Sequence, residues 1–527
     1  MEWILNILIY LPLLGAGVIL LLPKLIGKDQ AVKQYRLVAL LTTGAQLLIT
    51  LYFYFFAFDP SLQLSDPNSP YHSYAWIEHF NISYYVGVDG LSMPMILLTA
   101  LLSFLCIVYS WNESKKPMAY FSLFLLLDAG MMGVFMALDF FLFYIFWEVM
   151  LLPMYFLIGM WGGPQRKYAA IKFFLYTLFG SVFMLIGMIC IYNYLPADVK
   201  TFNLIELIKS VPYIEGTLWG VNVQIIIWLG LFIGFAIKVP IFPFHTWLPL
   251  AHVEAPTSIS VILAGVLLKM GTYGFLRISY PLLPDQLAES GFAMMLAILG
   301  VINIIWGALN AIAQVDLKKM VAYSSISHMG YCLLGMSAVI SSSSAGQIAG
   351  LNGAVMQMFN HGTITAMLFF LVGFLYDRAH HRYIVYPENY EKSELAGKLG
   401  FGGLASIMPR YSAFIALAFF AGLGLPSLSG FWGEAMCFIG GFSVDKFRLI
   451  TAIGTLGILF NAVYFLRAYQ RMFMGEANKK YLDLADINKR EVAILFPLTV
   501  LIILFGVYPQ ALVDIISGTM TTIIGYF

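Results

Sequence analysis

The sequence predicts an all-α polytopic membrane protein of about fourteen transmembrane helices, with two inverted five-helix repeats whose broken members are helices seven and twelve. Three observations carry this expectation. Of 527 residues, 60% are hydrophobic and 11% are charged, and the mean hydropathy is +0.83. Apolar windows of about 18 to 25 residues recur along the whole chain, each long enough to cross a bilayer. The basic residues between those windows alternate: loops after odd-numbered spans carry twenty-two Lys and Arg, loops after even-numbered spans five. By the positive-inside rule the odd loops are cytoplasmic and both termini face outward.

In chain order, the windows centre near Leu13, Leu47, Leu102, Ala129, Leu151, Met184, Gly234, Leu267, Gly300, Gly330, Met367, Gly424, Leu459 and Leu501. The first, MEWILNILIYLPLLGAGVILLLPK, has no basic leader and carries Pro12 within its apolar run, so it reads as an uncleaved span. TFNLIELIKSV, before span seven, repeats apolar residues at helical spacing between charges and is expected at the membrane interface. The main polar excursions are Asp377 to Arg410 and Gly475 to Glu491. The expected units are residues 1–112 (helices one to three), 113–280 (first repeat, helices four to eight), 291–474 (second repeat, helices nine to thirteen) and 475–527 (helix fourteen and tail).

Span seven ends in AIKVPIFPFHTWLPLAHVEAP, Ala236 to Pro256, where Lys238 precedes Pro240, Pro243 and Pro249. A proline lacks the N–H and blocks the carbonyl four residues back, so Pro240 and Pro243 should free the carbonyls of Ala236 and Val239. Broken backbone at membrane depth is tolerated only where it is buried in protein or lines a hydrated cavity. The plainer reading of Lys238 is a lysine snorkelling from a helix end, but about fifteen apolar-rich residues precede it, which favours the interior. Span twelve, AGLGLPSLSGFWGE from Ala421 to Glu434, is interrupted in the same manner at Pro426. Spans seven and twelve are five apart, so repeats built on them are inverted; coincidence is the alternative, since membrane helices are rich in Gly and Pro.

Five ionisable residues fall inside spans: Asp128, Glu148, Lys238, Lys269 and Glu434, joined by His328 and His361. Each charge at the bilayer centre costs ~2.5 to 3.5 kcal/mol on the insertion scale unless paired or hydrated, so five together indicate function. Taken singly, a histidine is more often a hydrogen-bonded packing residue, and Asp128 reads equally as a neutral structural acid. Desolvation disfavours the charged form of any such group, and a nearby opposite charge restores it. A Lys–Glu pair is therefore switched by its separation. Near Glu148, Lys238 keeps its proton; moved away, it passes the proton toward Lys269, His328 and Glu434. Asp128, His252 and His361 are candidate relays. Four cysteines, Cys106, Cys190, Cys332 and Cys437, lie far apart without metal-ligand spacing. The glycine cluster Gly397 to Gly403 lacks the nucleotide-binding pattern and reads as a loop. A net charge of +1 offers no general field for nucleic acid.

FLFYIFWEVMLLPMYFLIGMWGG (Phe141 to Gly163), IKVPIFPFHTWLPLAHVEAPTSISVILAGVLLKMGTYGFLR (Ile237 to Arg277), DLKKMVAYSSISHMGY (Asp316 to Tyr331), GLPSLSGFWGE and YYVGVDGLSMP (Tyr84 to Pro94) resemble the antiporter-like subunits of proton-pumping NADH:quinone oxidoreductase, respiratory complex I. The resemblance covers nearly the whole chain. It implies fourteen helices, inverted repeats and a mid-membrane line of charges. Glu434 resembles the M-type branch, since L- and N-type subunits and Mrp antiporter proteins usually carry lysine there. Carried over, Glu148 is the acid paired with Lys238, Lys269 the bridging residue of span eight, His328 a relay and Glu434 the terminal site. No family role attaches to Asp128. The resemblance further implies no cofactor or metal in this chain, with NADH, FMN, iron–sulfur clusters and quinone on partner subunits. The implied partners are other membrane-arm subunits, especially the L-type and N-type ones, and the lipid bilayer. The implied place is the bacterial inner membrane, both termini periplasmic. The alternatives are a subunit of a multisubunit Na⁺/H⁺ antiporter or membrane hydrogenase-type complex, which share the fold, and a haem-binding bundle with His328 and His361 as ligands.

Overall fold

The computed structural model describes residues 2–62, 64, 71–197, 199–388 and 397–527. Lys392, one of the basic residues in the charge count, lies outside the described residues. Helices dominate. In order they are α1 (Glu2–Ile26), α2 (Lys28–Phe56), α3 (Ser92–Tyr109), α4 (Pro117–Met136), α5 (Phe140–Trp161), α6 (Arg166–Tyr194), α7 (Leu204–Ser210), α8 (Val223–Lys238), α9 (Trp247–Glu254), α10 (Thr257–Leu282) and α11 (Phe292–Ile312). There follow α12 (Leu317–Ser337), α13 (Ser344–Ala379), α14 (Pro409–Gly422), α15 (Ser429–Ser443), α16 (Asp445–Phe473), α17 (Lys489–Val507) and α18 (Gln510–Ile524).

Among the described residues, eleven helices are long and apolar enough to cross a membrane: α1 to α6, α10, α11, α13, α16 and α17. The three other expected centres fall on segments that explain their omission. Gly234 and Gly424 belong to the interrupted pairs α8–α9 and α14–α15, whose pieces are 8 to 16 residues long. Gly330 lies in α12, which has 21 residues but carries Lys318, Lys319, His328 and four serines. The expected interfacial helix is α7, capped by Asn203, whose side chain accepts from the Ile205 N–H.

The most apolar windows of α10 and α13 are entirely buried, and these two helices form the axis of the molecule. Around them α1, α6 and α17 keep one apolar face outward. On α6 that face is Ile171, Leu175, Phe179, Val182 and Ile186, a stripe at helical spacing suited to lipid or another subunit. The all-helix expectation misses two small hairpins. Tyr71–Ile77 (β1) pairs antiparallel with Ile82–Gly87 (β2), turning at Asn81 with φ 52°, and Thr217–Leu218 (β3) pairs with Val221–Asn222 (β4). Beyond β2, Asp89 accepts from the N–H groups of Leu91 and Ser92, and the Gly90 N–H donates to Thr519 Oγ1 at 3.0 Å. That bond ties α18 to the start of α3.

Two residues counted as loop charges are instead buried. Arg277 lies in the last turns of α10 and forms an ion pair of 2.5 Å with Asp89, with Tyr273 OH at 3.1 Å and Ser92 Oγ at 3.2 Å. Lys318, in the first turn of α12, donates to the Ala255 carbonyl at 2.6 Å. Each is tolerated because a partner satisfies it, and hydropathy windows carry no information about such partners. The four cysteines are free, and three are buried.

Candidate functional site

Both helix breaks are built alike. At the first, the Ile241 N–H donates to the Ala236 carbonyl at 2.8 Å; at the second, the Leu425 N–H donates to the Phe420 carbonyl at 3.0 Å. Each donor reaches five residues back, a wide turn that ends the helix. The expectation that Pro240 leaves the Ala236 carbonyl free is thus corrected: the chain widens by one residue and the carbonyl is taken up again. An asparagine from a neighbouring helix completes each break. Asn303 of α11 accepts from the Phe242 N–H at 2.8 Å and donates to the Pro240 carbonyl at 3.2 Å, and Asn360 of α13 donates to the Ser429 carbonyl at 2.7 Å. Neither asparagine was singled out from sequence. The available signal was a lone amide within an apolar run, as in VINIIW.

Lys238 is the last residue of α8, 1% exposed, where the negative end of the helix dipole favours a cation. Its Nζ lies 5.1 Å from the centroid of the Trp147 ring and 5.9 Å from that of Phe173, and it has no hydrogen-bond partner. Glu148 follows Trp147 on α5. Ser181 and Tyr144 stand beside its carboxyl, and Oε1 is buried without a partner. The two groups attract across adjacent helices, and no ion pair joins them among the described residues.

The other ionisable groups do meet. Lys269 is fully buried on α10 between two π-helical stretches, Leu263–Leu267 and Phe275–Ser279. Its Nζ donates to the Ala264 carbonyl and lies 2.7 Å from His361 Nδ1. The His361 ring sits 5.4 Å, centroid to centroid, from that of His328. His328 Nδ1 lies 3.1 Å from Glu434 Oε1 and 3.4 Å from Gln357 Nε2. Lys269, His361, His328 and Glu434 therefore form a file of two bonded pairs through the protein interior, meeting where the two imidazole rings lie 5.4 Å apart with His361 Nε2 unpartnered. Glu434 packs into the second break: a Cβ on Gly424, where φ is +79°, would stand 2.8 Å from its Oε2. Only glycine gives both that backbone and that space.

Of the remaining candidates, His252 is fully buried on α9, stacked on Phe369 at 4.7 Å with both ring nitrogens unpaired. Asp128 lies apart on α4 and accepts from Ser103 Oγ at 2.6 Å. Pro240, Pro243 and Pro426 all fall in the helix breaks, as expected. Where the loops after odd-numbered spans converge, a cavity of about 730 Å³ opens beneath α9, lined by Tyr120, Glu254, Ser258, Lys318, Asp377 and Arg382 among others.

Interrupted helices bracketing a buried file of Lys, His and Glu define the class of antiporter-like membrane proteins. Residues 137–460 match the family described as NADH:quinone oxidoreductase/Mrp antiporter, TM, and residues 36–138 match NADH-ubiquinone oxidoreductase chain 4, amino terminus. The chain belongs to the NADH:quinone oxidoreductase/Mrp antiporter family. It is 40% identical to the NADH-quinone oxidoreductase subunit M of Rickettsia conorii over 528 residues, 99% of each chain. A chain of respiratory complex I from Thermus thermophilus superposes with a TM-score of 0.81 at 27% identity, covering 99% of both. A chain of the Mrp complex from Dietzia sp. shares the fold, with a TM-score of 0.81 at 21% identity, covering 99% of this chain and 97% of that one.

Proposed function

We infer that the chain is a proton-translocating membrane-arm subunit of NADH:quinone oxidoreductase, of the M type, driven by redox chemistry on partner subunits. The observation that carries this is the file Lys269–His361–His328–Glu434, whose members can each hold or release a proton: Lys269 pairs with His361, His328 with Glu434, and the two imidazole rings lie 5.4 Å apart. Glu148 and Lys238 form the switch feeding that file. In this switch Lys238 gives its proton up when Glu148 is distant, and approach of Glu148 restores its hold. NADH, FMN, iron–sulfur clusters and quinone belong to the partners, among which the L- and N-type subunits fit the apolar stripes left on the outer helices.

In this reading the eleven long helices, the two interrupted pairs and α12 make fourteen crossings, with helices four to eight and nine to thirteen as inverted repeats. The matching wide turns support that pairing. The basic loops face the cytoplasm of a bacterium and both termini face the periplasm, by the positive-inside rule.

The test is NADH-driven proton uptake by inside-out vesicles carrying Glu148→Gln, with assembly checked on native gels. Collapse of uptake and coupled quinone reduction in an assembled complex supports the switch. Wild-type rates exclude it. The Mrp fold keeps a Na⁺/H⁺ antiporter subunit as the second reading, and uptake that requires Na⁺ would favour it.

A further inference from the structure

Asp128 is a buried carboxyl that the Lys269-to-Glu434 file does not use. It sits in the middle of α4, wholly inaccessible. Ser103 Oγ donates to Oδ1, while Oδ2 has no partner. Gln46 of α2 faces the same carboxyl; its Nε2 donates to the Leu8 carbonyl at 3.1 Å and its Oε1 is likewise buried without a donor. Oδ2 and the Gln46 Oε1 thus both lack a donor, with the Gln46 amide close enough to hydrogen-bond the carboxyl. A proton on Oδ2 converts it from acceptor to donor and supplies what the pair is missing. Among the described residues no Lys or Arg pairs with this carboxyl, and Cys106 is its titratable neighbour.

Polar groups lie between it and the cavity. Ser103, Cys106 and Ser110 follow one another at intervals of three and four, so they share one face of α3 and its terminal turn. Ser110 Oγ lies 2.9 Å from Tyr120 OH, and Tyr120 OH lies 2.5 Å from Ser258 Oγ. Cys106 Sγ donates to the Ser258 carbonyl at 3.4 Å. Ser110, Tyr120 and Ser258 line the cavity on the side of the basic loops. Tyr120 and Asp128 are eight residues apart on α4, about 12 Å, and the α3 groups cover that rise.

We propose that Asp128 is a second proton-binding site, exchanging with the cavity on the basic side along this ladder of hydroxyl and thiol groups, independently of the file that ends at Glu434. The step balances simply: a hydronium ion in the cavity gives up a proton, water remains, and an O–H bond forms on Asp128. On release the same bond breaks and the proton returns to water. Nothing is oxidised or reduced at the site.

The test is infrared difference spectroscopy of the intact complex, NADH-reduced minus oxidised, in H₂O and D₂O. A deuterium-sensitive carboxylic C=O band is expected in the wild type, lost in Asp128→Asn, shifted in Ser103→Ala, and slower to rise by several-fold in Cys106→Val. Glu434→Gln should leave this band in place, which separates the proposal from the reading of the main file. The proposal is overturned if the Asp128→Asn complex keeps every carboxylic band of the wild type. It is overturned equally, even should Asp128→Asn not assemble, if Ser103→Ala leaves every carboxylic band where the wild type has it. A carboxyl that only braces α3 against α4 would hold one protonation state through turnover and give no such band.

Discussion

His361 joins the two halves of the buried file, and replacing it separates two roles a histidine can play there. Its Nδ1 lies 2.7 Å from Lys269 Nζ, and its ring is the one next to His328. A hydrogen bond to a charged donor is worth ~1.5 to 3 kcal/mol. Losing it in His361→Ala raises the barrier of the step from Lys269 by the same order, so transfer slows roughly 10- to 150-fold. His361→Gln keeps an acceptor toward Lys269, but an amide takes no proton near neutral pH. If His361 relays protons, Gln and Ala are both severely slowed; if it only steadies Lys269, Gln restores the wild-type rate. The assay is NADH-driven acidification of inside-out vesicles, normalised to assembled complex on native gels. Wild-type uptake in His361→Gln alone would refute the relay and leave a structural acceptor. Wild-type uptake in both variants would take His361 off the route altogether.

Lys238→Arg should assemble and fail to pump, because a guanidinium does not release its proton; uptake at the wild-type rate would show that Lys238 need not deprotonate. Asp89→Ala strands Arg277 in the interior and should cost ~3 to 5 kcal/mol, seen as loss of assembled complex, whereas Asp89→Leu with Arg277→Met should recover much of it. Asp139, which caps α5 outside the spans, accepts from the N–H groups of Phe141, Leu142 and Ser83, yet burial pushes its carboxyl up to about 6. The folded protein therefore keeps this proton to higher pH than the unfolded chain, whose carboxyl titrates near 3.8, and this group's contribution to stability falls as pH rises from about 4 to about 6. Asp139→Asn should remove that slope, so its thermal midpoint should gain on the wild type across that window; a constant difference would contradict the assignment. Gly271→Ala places a Cβ 2.6 Å from Val239 Cγ2 and 2.8 Å from the Phe235 carbonyl. It should push the end of α8 from α10 and lower uptake in an assembled complex, and unchanged uptake would show that this contact does not position Lys238.

The spans, the breaks and the charged residues were legible because each breaks a strong local rule: apolar length, proline inside a helix, charge inside lipid. What escaped depends on partners distant in the chain. Arg277 looked like a loop charge because its mate, Asp89, lies 188 residues away. His361 ranked as a candidate relay, and only the packing of α13 against α10 brings it to Lys269. Pro240 correctly marked the break, but the rule of the missing N–H could not show that Ile241 would turn back to the same carbonyl. The braces Asn303 and Asn360 are single amides in apolar helices, and sequence alone does not show which amide faces a break.

Lys269 pairs with His361 and His328 with Glu434, the two imidazole rings lying 5.4 Å apart, whereas Lys238 Nζ has no hydrogen-bond partner, and the backbone around each lysine is held differently. Lys238 ends a helix whose last carbonyls are already satisfied, Ala236 by Ile241 and Ile237 by Trp247 Nε1 at 2.9 Å. Those bonds and the two that Asn303 makes at Phe242 and Pro240 hold the backbone around this end, so any shift of it must carry or break them. Lys269, in contrast, is held on a wholly buried helix by Ala264 and His361. The Lys269 ammonium is anchored and the Lys238 ammonium is free of hydrogen bonds. Glu148, on α5, attracts the Lys238 side. In the proposed switch, driving force applied to α5 or α8 from a neighbouring subunit would act on the Glu148-to-Lys238 distance first and reach Lys269 through it.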